Sequence, residues 1–214
     1  MMLQEKLMKI NCLYKGKRIM CMNPKPRILN KGKKVTILGL GGSGGKIVHH
    51  IAEQTDEYNL IYVDSDEESL LESTVKTIKN TDKGQTDYFS IIKEIKNNQR
   101  LIITTGLGGK FGTFNSYIIY KMAKTENIPK IELFLTMPAK FEGKNRINKA
   151  TEALNLFNSD NIRYSLIEFD KLIDKLVQKI SLNDCYRIVD KIMYQEIMRV
   201  ITNWVNITVY VYYD

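Results

Sequence analysis

From residue 34 onward the chain alternates between two kinds of apolar pattern. Short, nearly continuous runs rich in β-branched residues occur at VTILGL (35–40), NLIYVD (59–64), RLIITT (100–105), KIELFLTM (130–137) and YSLIEF (164–169). Such runs suit strands buried on both faces. Between them lie segments whose apolar residues recur every three or four positions, as on a helix: KIVHHIAEQ (46–54), EESLLES (67–73), DYFSIIKEIKNN (87–98), SYIIYKMAKTEN (116–127) and NRINKATEALNLF (145–157). Two further helical stretches span 170–180 and 182–205, and NITVYVYY (206–213) alternates like a strand. Strand and helix in regular alternation predict an α/β fold: a Rossmann-like three-layer parallel sheet with helices on both faces. In such sheets ligands bind at the carboxyl ends of the strands.

The first 33 residues follow neither pattern and read as a basic, flexible N-terminal arm ahead of a domain at 34–214. Leu3, Leu7, Ile10 and Tyr14 fall on one face of a short helix that can rest on an anionic membrane or a partner, whereas MNPKPRILNKGKK has two prolines and little periodicity. A basic leader poor in acids also has the composition of a transit peptide.

Charge sharpens this division. The whole chain of 214 residues carries +8, but residues 1–34 hold ten Lys/Arg against one acid, Glu5, which leaves 22 basic and 23 acidic residues on the remainder. The body is therefore close to neutral and no nucleic-acid partner is expected of it. The three cysteines, Cys12, Cys21 and Cys185, show no metal-ligand spacing and do not make an even disulfide set, which fits a reducing cytoplasm. No apolar run approaches the length needed to cross a membrane.

Candidate chemistry sits at two glycine-rich loops, each directly after a strand and before a helix. In GLGGSGG (39–45), Gly39, Gly41 and Gly44 have G-x-G-x-x-G spacing, and Asp64 ends the next strand twenty residues after Gly44. Glycine lets backbone N–H groups approach phosphate oxygens, and a helix N-terminus favours negative charge. Alone, this loop reads as an NAD or FAD site with Asp64 on the ribose, the alternative being a tight strand-to-helix turn packed for close approach. The second loop, TTGLGGKFGTFNS (104–116), carries Lys110, Phe111 and Phe114 among its glycines.

The second loop, taken with TMPAKFEGKNRINKA (136–150), resembles the tubulin superfamily, and within it the GTPase domain of FtsZ. GLGGSGGK is similar to the family's G-x-G-G-G-G-G-N, YVDSDEESL to its N-T-D-A-Q-A-L, and GLGGKFGTF stands where the family has G-M-G-G-G-T-G-T-G. MPAKFEGKNR resembles R-P-F-x-F-E-G-x-x-R, and SLNDCYRIVD resembles S-L-x-x-A-F-x-x-A-[DN]. Five motifs in the family's order are far more specific than one. The resemblance implies a GTP or GDP site, with Mg as a possible companion, and an FtsZ-type filament partner. It places Gly41, Gly42, Ser43, Gly44, Gly45 and Lys46 at the phosphates, with Gly108, Gly109, Lys110, Gly112 and Thr113 in the second loop beside them. Glu142 is then expected at the ribose and Arg146 at sugar or phosphate, although the two also suit a plain i, i+4 ion pair. Tyr186 is expected to stack on the base. Asp190, one turn on, accepts from the N1 and N2 protons of guanine, which adenine lacks.

Three departures temper this expectation. Lys110, Phe111 and Phe114 stand where the family has a glycine, a threonine and a glycine against the phosphates. The stretch between Leu71 and Ile91 is short and polar where the family has a longer loop at the terminal phosphate. The chain ends soon after the helix that the family follows with its catalytic acid loop, so little hydrolysis by the protein alone is expected, and docking of its nucleotide face onto a two-ended subunit would cap a filament. An NAD- or FAD-dependent enzyme and a remnant that binds nothing remain the alternatives.

Overall fold

A computed structural model of the chain describes residues 12–14, 17–19, 35–79, 85–173, 181–202 and 211–212. Six of its strands form one parallel sheet. In chain order the elements are β1 (Cys12–Tyr14), β2 (Lys17–Ile19), β3 (Val35–Leu40), α1 (Gly41–Ala52), β4 (Asn59–Asp64), α2 (Glu67–Leu71), β5 (Lys76–Lys79), α3 (Tyr88–Ile95), β6 (Arg100–Gly106), α4 (Gly112–Thr125), β7 (Lys130–Met137), a 3-10 turn (Lys140–Glu142), α5 (Lys144–Ser159), β8 (Tyr164–Glu168), α6 (Phe169–Ile173), α7 (Leu182–Ile201) and β9 (Val211–Tyr212).

The large sheet has the order β5-β4-β3-β6-β7-β8. The chain therefore builds outward from β3 to β5, returns across β3 to β6, and builds outward again in the other direction. That reversal between β3 and β6 is the switch point at which doubly wound sheets open a crevice. Register is continuous across it, with Val35 opposite Arg100 and Leu40 opposite Thr105.

The strand runs are apolar throughout because both faces are covered. On β3, Leu38 and Leu40 point into a core with Ile91 and Ile95 of α3, Ile119 and Ala123 of α4, and Ala150, Ala153 and Phe157 of α5. Ile37, the neighbour with opposite pleat, points into a second core with Ile47, Val48 and Ile51 of α1 and Met193, Ile197 and Ile201 of α7. The period-two alternation of a strand thus distributes one apolar run between two helical layers. The expected three-layer architecture is present.

Several local boundaries differ from the periodicity. Helices α1 and α4 begin inside the glycine loops, at Gly41 and Gly112, not after them. Glycine is a poor helix former, so propensity hides these first turns, which tertiary packing holds instead. Strand β5 arises from VKTIK, a stretch read as polar loop. Only Ile78 of its four residues is buried, as befits the edge of a sheet.

Of the N-terminal arm only β1 and β2 are described, and they form an antiparallel hairpin that pairs with β9. Because Cys12–Tyr14 is extended, Tyr14 does not close the helical face begun by Leu3, Leu7 and Ile10. Those three residues, most of the arm, and most of the expected strand at 206–213 lie outside the described residues. No helix among the described residues is long and apolar enough to cross a membrane.

Candidate functional site

The crevice at the switch point is a cavity of about 610 Å³, walled by the first turns of α1 and α4, the end of β4, the 3-10 turn and α5, and the first half of α7. This volume lies in the range of small-molecule sites. Two helix N-termini face it. The first four N–H groups of each helix have no partner within the helix, so both ends present free donors and a partial positive charge to the same space.

The glycines let the two ends meet. Gly41 has φ +69, a left-handed conformation, and a Cβ placed on it would lie 3.4 Å from the Gly112 nitrogen, so the two loops touch there. Gly112 itself leaves no room for a side chain. A Cβ there would collide with the Thr105 hydroxyl and stand 2.8 Å from the Leu40 carbonyl oxygen. That hydroxyl donates to the Leu40 carbonyl at 2.8 Å, which ties β6 to β3 directly beneath the cavity.

Most of the residues expected at the phosphates line the cavity: Gly41, Gly42, Ser43 and Lys46 from the first loop, and Gly109, Lys110 and Gly112 from the second. Four others stand behind its wall. Gly44 packs against the Thr104 carbonyl, with 2.5 Å between that oxygen and a would-be Cβ, and Gly45 packs against the Tyr62 ring. Gly108, at φ +83, lies under the backbone of Arg146. Thr113 is fully buried and its hydroxyl donates to the Gly109 carbonyl at 2.8 Å, bracing the loop from within. Phe111 is also buried and joins the core beside α3 and α4, while Phe114 is partly exposed on the outside of α4.

Asp64 closes the cavity at the end of β4. It is buried, and its carboxylate accepts from the Tyr62 hydroxyl at 2.8 Å and from the Ser65 N–H at 2.7 Å. Burial, followed by the hydrogen bond to Asp64, pushes the Tyr62 hydroxyl well above its ordinary range. The neighbours Ser65, Asp66 and Ser69 also line the cavity, and the Ser69 hydroxyl donates to Asp66 at 2.6 Å. These three were not singled out from the sequence, although YVDSDEESL contains them. So does MPAKFEGKNR contain Met137 and Pro138, two further wall residues.

The opposite wall gathers Glu142, Arg146, Tyr186 and Asp190. The 3-10 turn and the start of α5 bring Glu142 and Arg146 within 2.6 Å of each other, so the i, i+4 ion pair is formed. The second Glu142 oxygen accepts from the Ala139 N–H at 3.0 Å, which fixes the carboxylate. Tyr186 lies on Phe169, with ring centroids 5.0 Å apart. Burial raises its hydroxyl above the usual range and the nearby Glu142 carboxylate adds to this, against the opposing charge of Arg146. The Lys46 ammonium stands over the Tyr186 ring, 6.0 Å from its centroid. Asp190 is half-buried and its carboxylate makes no hydrogen bond among the described residues. Burial raises its carboxyl above the ordinary range, while Lys46 and His50 pull in the other direction. Among the described residues no group of three or more His, Cys, Asp or Glu is placed to hold a metal ion.

A six-stranded parallel sheet between two helical layers, with a crevice at its switch point, matches the fold of the Rossmann-like domain of the tubulin/FtsZ proteins. Sequence and structure comparisons agree on it. The chain is 28% identical over 192 residues to the cell division protein FtsZ of Helicobacter pylori, covering 80% of this chain and 50% of that protein. It is 28% identical over 194 residues to the mitochondrial division protein fszB of Dictyostelium discoideum, covering 81% of this chain and 53% of that one. Among solved structures, an empty FtsZ dimer from M. jannaschii superposes with a TM-score of 0.71 at 19% identity, over 82% of this chain and 58% of that one. CetZ2 from Haloferax volcanii, in a GTPgS-bound protofilament, gives 0.67 at 16% identity, over 82% and 60% respectively. No protein-family model matches the chain. The chain spans about half the length of the curated relatives it matches.

Proposed function

We propose that this chain binds guanine nucleotide in the switch-point cavity and associates, in the cytoplasm, with a filament of FtsZ-type subunits. The observation that carries the reading is Asp190, a half-buried carboxylate without a hydrogen-bond partner among the described residues, set on α7 one turn beyond the ring of Tyr186. A base stacked on that ring offers its edge to the carboxylate, and only guanine presents the adjacent N1 and N2 donors. The first turns of α1 and α4 then hold the phosphates through backbone N–H groups, with Lys110 adding charge and any Mg entering on the phosphates themselves. Glu142 and Arg146 are placed for the sugar. The nucleotide-bound protofilament of CetZ2 and the division proteins among the relatives support both halves of this proposal.

Hydrolysis is expected to be slow in the isolated protein. Phe111, within the second loop, is buried in the core, and offers neither a hydroxyl to phosphate nor a partner for an ordered water.

Titration calorimetry with GDP, GTP, ADP and NAD tests the reading. Guanine nucleotides should bind, GDP at least as well as GTP, and Asp190→Ala should lose most of the preference for guanine over adenine, about tenfold or more. Absence of heat with GDP at ~1 mM, the weak limit of specific binding, would refute it.

A further inference from the structure

Lys46 lies in the second turn of α1, five residues after Gly41, and so about 7 Å along the helix from the turn that faces the phosphates. Its ammonium stands over the Tyr186 ring, 6.0 Å from the centroid, on the wall that also carries Asp190. Lys46 is exposed and makes no salt bridge shorter than 4 Å among the described residues, so its three donors are available. The groups whose charge acts on Asp190 are Lys46 and His50, both basic, and the Lys46 charge opposes the burial that raises its carboxyl.

We propose, resting on the guanine-nucleotide reading, that Lys46 is a specificity residue for the base. A guanine stacked on Tyr186 would present acceptors, O6 and N7, on one part of its edge and donors, N1–H and N2–H, on the next. Ammonium and carboxylate side by side match that sequence of acceptors and donors. Lysine is a known type of partner for O6 and N7, where it places a point charge. Adenine would turn its N6 amino donor toward the ammonium and a bare N1 acceptor toward the carboxylate, so both contacts fail together. The base would displace the ammonium from above the ring to its edge, exchanging a weak cation–π contact for a charge-assisted hydrogen bond.

The test compares wild type with Lys46→Met and Lys46→Arg, their folding checked by circular dichroism, for binding GDP, 6-thio-GDP, IDP and guanosine. 6-Thio-GDP keeps N1–H and N2–H but replaces O6 with the weaker acceptor sulfur; IDP lacks the N2 amino group; guanosine lacks phosphate. Wild type should prefer GDP to 6-thio-GDP, and Lys46→Met should weaken GDP by about tenfold while bringing that preference close to one. The ratio of GDP to IDP, set by Asp190, should stay unchanged, and Lys46→Arg should restore most of the GDP affinity. If Lys46→Met weakens GDP and 6-thio-GDP equally and leaves guanosine unaffected, Lys46 serves phosphate and the proposal is overturned with guanine binding intact. A wild-type protein that binds none of the four overturns the guanine-nucleotide reading itself, and this proposal with it.

Discussion

Asp190 illustrates the tension between stability and recognition at the level of one residue. Its half-burial disfavours the charged form, so its carboxyl titrates above the ordinary range and the folded state favours the proton. Stability from this group is therefore fully present below the unfolded-state value, about 4, and is lost as pH rises through the higher folded-state value. At neutral pH the ionised carboxylate costs stability that a bound guanine would repay with two hydrogen bonds. Asp190→Asn should thus raise the melting temperature at pH 7 in the absence of nucleotide, and the gain should shrink as pH falls toward about 4. The same carboxylate must be ionised to accept from N1 and N2, so GDP affinity in the wild type should decline as pH falls through the raised folded-state range. Differential scanning fluorimetry and calorimetry across pH check both signs.

Among the elements, the two glycine loops were legible in the sequence because close approach of backbone to backbone excludes side chains there, as Gly112 shows against Thr105 and Leu40. Their dual nature as first turns of α1 and α4 was not, since residue propensity opposes it. Asp64 was placed correctly at the end of β4, but its hydrogen bond from Tyr62 depends on two side chains on one strand face, and no motif reports that. Strand β5 escaped detection because one buried isoleucine in four residues makes no pattern. The role of Arg100 was equally hidden. It stands at the start of β6, at the end of the sheet away from the cavity. Its side chain donates to Glu132 at 2.7 Å and to the Val200 and Ile201 carbonyls at 2.7 and 3.1 Å, capping the C-terminus of α7. Since α7 also carries Tyr186 and Asp190, this arginine anchors the far end of the helix that forms that wall of the cavity. Arg100→Ala should lower stability by about 2–3 kcal/mol in denaturant unfolding, because it removes charged hydrogen bonds that are largely buried. Under conditions where the variant is folded, its GDP affinity should match wild type.

At the scale of the whole molecule, the cavity opens on one end of the sheet, so any subunit seated there would cover a bound nucleotide. Head-to-tail contacts of this kind propagate into filaments when the rotation does not close. Mixed with a polymerising FtsZ in the presence of GTP, the protein should co-sediment with polymer and alter its length, and Asp190→Ala should weaken both effects if nucleotide supports the contact. Pelleting and light scattering read the two effects separately; recovery of the protein wholly in the supernatant, with polymer length unchanged, would count against association.

The pairing of β3 with β6 has a consequence for the order in which the chain is made. On the edge of β3 away from β4, Val35 finds its partner at Arg100, and Leu40 at Thr105. When β3, α1 and β4 have left the ribosome, the central strand still has one side bare, and an open row of backbone donors and acceptors waits for a strand some 65 residues downstream. For that interval the nascent chain is vulnerable to pairing with the wrong neighbour, and a chaperone that shields strand edges would act on it most strongly there. The switch-point cavity, which needs both β3 and β6 in place, comes into existence at the moment this interval ends.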